Sequence, residues 1–160
     1  MKTACLVCFS AFVLLFATPG ASVPDGFGHW STAQLKQVGQ TLDENAATDP
    51  HRLAVQQLAD YPHEALLLVH RKGDGQVEWH ETQVDVIVVQ SGSATLVVGG
   101  TLLGGETVAP HEKRNGTIQG GVRQKLSPGD IVRIPPRTPH QLLLEGAGEF
   151  SYFAIKVKGY

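Results

Sequence analysis

The chain has 160 residues, 42% of them hydrophobic and 18% charged, with a formal net charge of −2. That length supports one domain with a sizeable core, and two comfortable domains are excluded. Lys113-Arg114 is a pair and no basic stripe exists, which argues against nucleic acid as a partner.

In chain order, Met1-Lys2 gives a short positive start and Leu6 to Ala17 an apolar run, broken at Pro19-Gly20-Ala21. The run is too short to span a bilayer well and has the flanks of a signal peptide, read as residues 1–21. The expectation is an exported protein, secreted or periplasmic, with no membrane attachment after cleavage. Both cysteines, Cys5 and Cys8, fall inside this segment, so the remainder has neither thiol nor disulfide.

Residues 22–64 read as a helical and extended segment. Ser31-Thr32 is a helix-capping pair, and Leu35, Val38 and Leu42 lie on one face of a helix running to about Asn45. Asp49-Pro50 breaks it. The spacing of Leu53, Val55 and Leu58 suggests a short second helix or turn ending at Tyr61-Pro62.

From residue 65 to 160 the pattern is β. Leu66 to Val69 is a buried-strand run, and Lys72-Gly73-Asp74-Gly75 is a hairpin turn signal. Strands follow at Gln76 to Glu81, Val84 to Val89, Ala94 to Val98, Arg123 to Leu126, Ile131 to Ile134, His140 to Leu144 and Phe150 to Val157. Residues Thr101 to Gly121 are less regular and read as a long loop or hairpin. The eighteen glycines supply the turns that such short strands need. The fold class is therefore all-β, a sandwich or small barrel preceded by a short helical segment.

Two motifs then align. Gly129, five residues, Pro135, Pro136, Arg137, two residues and His140 form one. The other has Gly75, then Glu78-Trp79-His80, then Asp85, then Gly92 after six residues. Together they resemble the two motifs of the cupin family. Arg137 stands where that family has a second glycine, Leu144 where it has an asparagine, Glu78 where it has its first histidine, and Asp85 where it has a glutamate. The resemblance covers about Leu66 to Val157. It implies a double-stranded β-helix, or jelly roll, with a site in one mouth of the barrel. Pro135, Pro136 and Pro139 then act as a stiff corner that aims His140.

The resemblance also implies a metal held by Glu78, His80, Asp85 and His140. Glu78 and His80 are two apart on a strand and so share a face. Two imidazoles and two carboxylates suit Mn, Fe or Zn, with the harder set leaning toward Mn or Fe(II). Without Asp85 the set is two histidines and one carboxylate. Asp85 could instead bond a turn, and Glu78 could face water. Gln83 and Arg137 are expected to line the pocket. His70 could face the barrel but reads more readily as a satisfied surface or core histidine. One of Tyr152 and Phe153 must face inward. Asn115-Gly116-Thr117 is a glycosylation pattern.

Two functions follow. One is a metal-binding cupin that takes a small organic ligand or substrate, its reaction and catalytic residues unknown. The other is a metal-free cupin that binds a small molecule without catalysis. The strand at Val84 to Val89 is apolar on both faces, and its cover can come from within the jelly roll, from the N-terminal helix, or from a homodimer, which the resemblance allows.

Overall fold

A computed structural model describes residues 22–160 apart from Ala147. The expected signal peptide lies outside the described residues. Helix α1 (Thr32–Thr48) is followed by thirteen strands among the described residues. They are β1 (Leu53–Asp60), β2 (Glu64–Arg71), β3 (Glu78–His80), β4 (Gln83–Gly92), β5 (Ala94–Val98), β6 (Thr101–Leu103) and β7 (Glu106–Ala109). The rest are β8 (Glu112–Arg114), β9 (Thr117–Gln119), β10 (Val122–Leu126), β11 (Ile131–Ile134), β12 (His140–Leu143) and β13 (Phe150–Lys158).

Two antiparallel sheets face one another. One runs β1-β2-β13-β4-β11 and the other β10-β5-β12-β3-β8-β7, with β6-β9 as a separate ribbon. Alternation along each strand decides which side chains meet between them. Val69, Ile87, Val89, Leu96, Leu126, Ile134, Leu142, Phe150 and Tyr152 pack there as one cluster. Phe150 is fully buried, a burial worth about 1.5–3 kcal/mol. Its strand is held close to its neighbour by Gly92, at φ 74°. A Cβ on that residue would fall 2.0 Å from the Glu149 carbonyl oxygen, so only glycine fits.

Two expectations are corrected here and a third is narrowed. The residues from Leu53 to Leu58 form β1, not a helix or turn. Leu53 joins the inter-sheet core while Ala54 and Leu58 pack outward on α1, and pairing with β2 supplies a ladder that local spacing does not reveal. The Lys72–Gly75 turn joins no hairpin. It carries the chain from one sheet to the other, because β2 pairs with β1 and β13 whereas β3 pairs with β12 and β8. Of the loop or hairpin expected at residues 101–121, the hairpin is what forms. These residues fold as β6 to β9, with β7 and β8 extending the second sheet.

Helix α1 begins in a capping box. Ser31 Oγ accepts from the Gln34 backbone N–H, and the Gln34 side chain accepts from the Ser31 N–H. Its inner stripe, Leu35, Val38, Leu42 and Ala46, covers Ala54, Leu58, Leu68 and Phe153 on the outside of the first sheet. The helix thus shields the β1–β2 half of that sheet.

Candidate metal centre

Glu78 and His80 lie on β3, Asp85 on β4 and His140 at the start of β12. His140 and Glu78 are direct partners across β12 and β3. The barrel closes these strands so that one donor atom from each residue lies within 4.8 Å of the others. All four side chains face inward, and His80, Asp85 and His140 are buried.

The proline corner explains part of this placement. Ile134 is the last strand residue before the corner, and the chain re-enters a strand at His140. The Pro139 carbonyl accepts from the Gly99 N–H at 2.9 Å, and the Arg137 N–H donates to the His80 carbonyl at 2.7 Å. The corner is therefore tied to the strand that carries the other histidine. Arg137 sits at φ 59°, the left-handed conformation that the motif's glycine would adopt freely.

Imidazole orientation is set by neighbours. His140 Nδ1 lies 3.0 Å from the Thr138 carbonyl, which can only accept, so that nitrogen carries a proton. In a neutral ring Nε2 then turns a lone pair toward Asp85 Oδ2, 3.4 Å away. His80 Nε2 stands 3.4 Å from the same oxygen and 3.6 Å from Glu78 Oε2. Its Nδ1 is buried without a hydrogen bond, 3.3 Å from Glu112 Oε1. Acceptors converging on one point require a cation or proton among them.

A lysine reaches that point. Lys156 Nζ lies 2.5 Å from Asp85 Oδ2, 3.3 Å from His80 Nε2 and 3.9 Å from Glu78 Oε2. Glu78 is held further by Arg114, and by Arg71 Nη2 at 3.3 Å. Arg71 Nε donates to the Tyr152 hydroxyl at 3.1 Å. Burial opposes ionisation of Asp85, but the neighbouring His140 and His80 and the Lys156 charge outweigh it and hold its carboxyl well below the usual range. Glu78 is depressed likewise: burial is overcome by His80, Lys156 and Arg114. For His80, burial lowers the pKa, yet bonds to Asp85 and Glu78 raise it above the ordinary value. Burial raises the Tyr152 pKa, so the phenol keeps its proton.

The four residues named from the motifs are thus brought together. Gln83 only touches the site, its Nε2 donating to Asp85 Oδ1 at 3.2 Å. Neither Gln83 nor Arg137 lines the adjoining cavity, contrary to expectation: Arg137 is exposed, its backbone committed to the corner. Lys156, Arg71 and Arg114 are the residues that motif reading missed. Alternation held the signal for two of them. Tyr152, Ala154 and Lys156 share the inward phase of β13, as Leu67, Val69 and Arg71 share that of β2.

The cavity has a volume of about 660 Å³, within the range of small-molecule pockets. Glu78, Asp85, His140 and Lys156 stand in its wall, with Arg71 and Tyr152 beside them and Leu67, Ile87 and Ala154 as apolar lining.

No protein-family model matches the sequence, and no curated protein does. Solved structures do match. A double-stranded β-helix protein of Klebsiella pneumoniae is 18% identical with a TM-score of 0.53, covering 74% of this chain and 87% of that one. The cupin domain of Cnp3 from Schizosaccharomyces pombe is 10% identical at 0.51, covering 67% of this chain. This chain spans 65% of that domain's length. KdgF from Halomonas is 16% identical at 0.50, covering 71% and 85%. At such identities the likeness shows the fold.

Proposed function

We propose that this chain, a small barrel with the cupin fold, binds a divalent metal ion through His80, His140, Asp85 and Glu78 and a small organic molecule in the cavity beside it. The observation that carries the reading is the convergence of two imidazoles and two carboxylates within 4.8 Å at the wall of a cavity of about 660 Å³. The donor chemistry fits a borderline or hard cation such as Mn, Fe or Zn. An ion held there supplies a Lewis acid facing the cavity. The chain's own residues set the rest. Arg71 and Arg114 hold Glu78 ionised and in place, Thr138 fixes the His140 ring, and Tyr152 offers a protonated hydroxyl. Lys156 must leave Asp85 when a metal enters, which frees an ammonium to meet an anionic group on the ligand.

Lys156 also supports a second reading, a metal-free binding protein in which its ammonium acts as the site's permanent cation. Export is part of both readings, supported by Lys2 and the apolar run from Leu6 to Ala17. A homodimer through the outer face of β4 and β13 is supported by the apolar side chains Val88, Phe153 and Ile155 lining a groove there.

The deciding experiment is elemental analysis of protein purified without added metal or tag, beside the double variant His80→Ala/His140→Ala. Near-stoichiometric metal in the wild type and none in the variant is the expected result. Metal absent from both, after anaerobic reconstitution with Fe, Mn and Zn, would overturn the first reading in favour of the second.

A further inference from the structure

Parity along β2 sends neighbouring residues to opposite sides of the sheet. Arg71 points into the barrel, and His70 points outward beneath α1. His70 is only 5% exposed. Its Nδ1 lies 2.6 Å from the hydroxyl of Ser151, its partner across β13. Its Nε2 is buried and makes no hydrogen bond. That nitrogen faces two carboxylates, Asp43 Oδ1 of α1 at 3.2 Å and Glu149 Oε2 at 3.8 Å, the latter just before β13.

We propose that Asp43, His70 and Glu149 form a second divalent-cation site, of the kind that suits Zn²⁺, which fastens α1 to the barrel. One donor atom of each residue lies within 4.8 Å of the others. One imidazole and two carboxylates, with water completing the shell, are a suitable Zn²⁺ set. Ser151 orients the ring through its far nitrogen, as outer-shell groups do at metal sites. Asp43 and Glu149 are about half exposed, leaving room for water and a path for the ion. Electrostatics favour it too. Asp43 meets a cationic side chain, Lys72, whose Nζ lies 2.7 Å from its Oδ1 and holds that carboxyl below its usual range, while Glu149 has no lysine or arginine partner among the described residues. The interior site has three carboxylates, Glu78, Asp85 and Glu112, against Lys156, Arg71 and Arg114. The outer cluster is therefore the more negative of the two.

The test is calorimetric titration of the metal-stripped His80→Ala/His140→Ala variant with ZnCl₂, its fold checked by circular dichroism. One Zn²⁺ per chain is expected. Adding His70→Ala should weaken binding at least 100-fold, Ser151→Ala about tenfold, and Lys72→Met should tighten it by removing the competing ammonium. A folded double variant that takes up no Zn²⁺ would overturn the proposal, as would binding indifferent to His70→Ala. If the double variant does not fold, the wild type and His70→Ala are compared directly. Loss of one Zn²⁺ per chain supports the outer site and no loss overturns it. Because both interior imidazoles are deleted in the main experiment, failure of the interior site leaves its result unchanged.

Discussion

His80 and His70 each lie near the end of a strand with carboxylates in reach, three for His80 and two for His70, yet the barrel gives them opposite surroundings. Inside, the carboxylates Asp85, Glu78 and Glu112 face a lysine and two arginines, and a half-buried ammonium already occupies the point where the donors converge. At the helix seam, Asp43 and Glu149 stay half exposed, and a lysine pairs with Asp43 alone. The comparison teaches that a metal-like cluster is defined as much by its competing cations as by its donors. Inside the barrel a missing cation would leave buried charge without compensation, so the protein supplies its own. At the surface, water performs that role and a metal has less to displace.

The largest effects should fall on the interior side. Asp85→Ala leaves the half-buried Lys156 without its closest partner and should cost the metal-free protein about 3–5 kcal/mol in denaturant unfolding. Asp43→Ala should leave metal-free stability close to wild type, since its partner Lys72 can turn to solvent. Equal losses for the two would break the contrast. Lys156→Met should come next. Metal-free stability falls by about 2–4 kcal/mol as Asp85 loses its cation, while Mn²⁺ or Zn²⁺ binding at the interior site tightens at least tenfold, about 1.4 kcal/mol, in a competition assay. Unchanged affinity would mean that Lys156 and a metal do not compete.

Acid sharpens the same contrast. Asp85 and Glu78 are depressed in the folded state, so their stabilisation is complete above the unfolded carboxylate pKa near 4 and is lost as pH falls below it toward their folded values. The metal-free wild type should therefore lose stability below about pH 4, and more steeply than Asp85→Asn, in thermal melts. Parallel curves would count against the depressed carboxylate. The smallest effect belongs to the helix. Ser31→Ala removes one half of the capping box and should cost about 1 kcal/mol, weakening Zn²⁺ binding at the seam and leaving the interior site untouched.

Much of this was legible beforehand. Most strands between Leu66 and Val157 announced themselves by alternation and β-branched runs, and the resemblance of two motifs to the cupin family implied a common site for Glu78, His80, Asp85 and His140. What escaped had weak local signals. β1 reads as a short helical repeat until β2 is present to pair with it. Lys156 reads as an ordinary surface lysine on a terminal strand, although its phase with Tyr152 and Ala154 points it inward. Arg137 reads as a pocket residue, and its backbone serves as a corner.

By itself the sequence determined the β-rich class, the capped helix, the proline corner and the side-chain parity of each strand, because these depend on residues a few positions apart. Only the tertiary structure decided which cations stand among the metal donors and that His70 meets Asp43 and Glu149. Those contacts join strands and a helix distant along the chain. Their partners are selected by sheet order and helix docking, which no local pattern encodes.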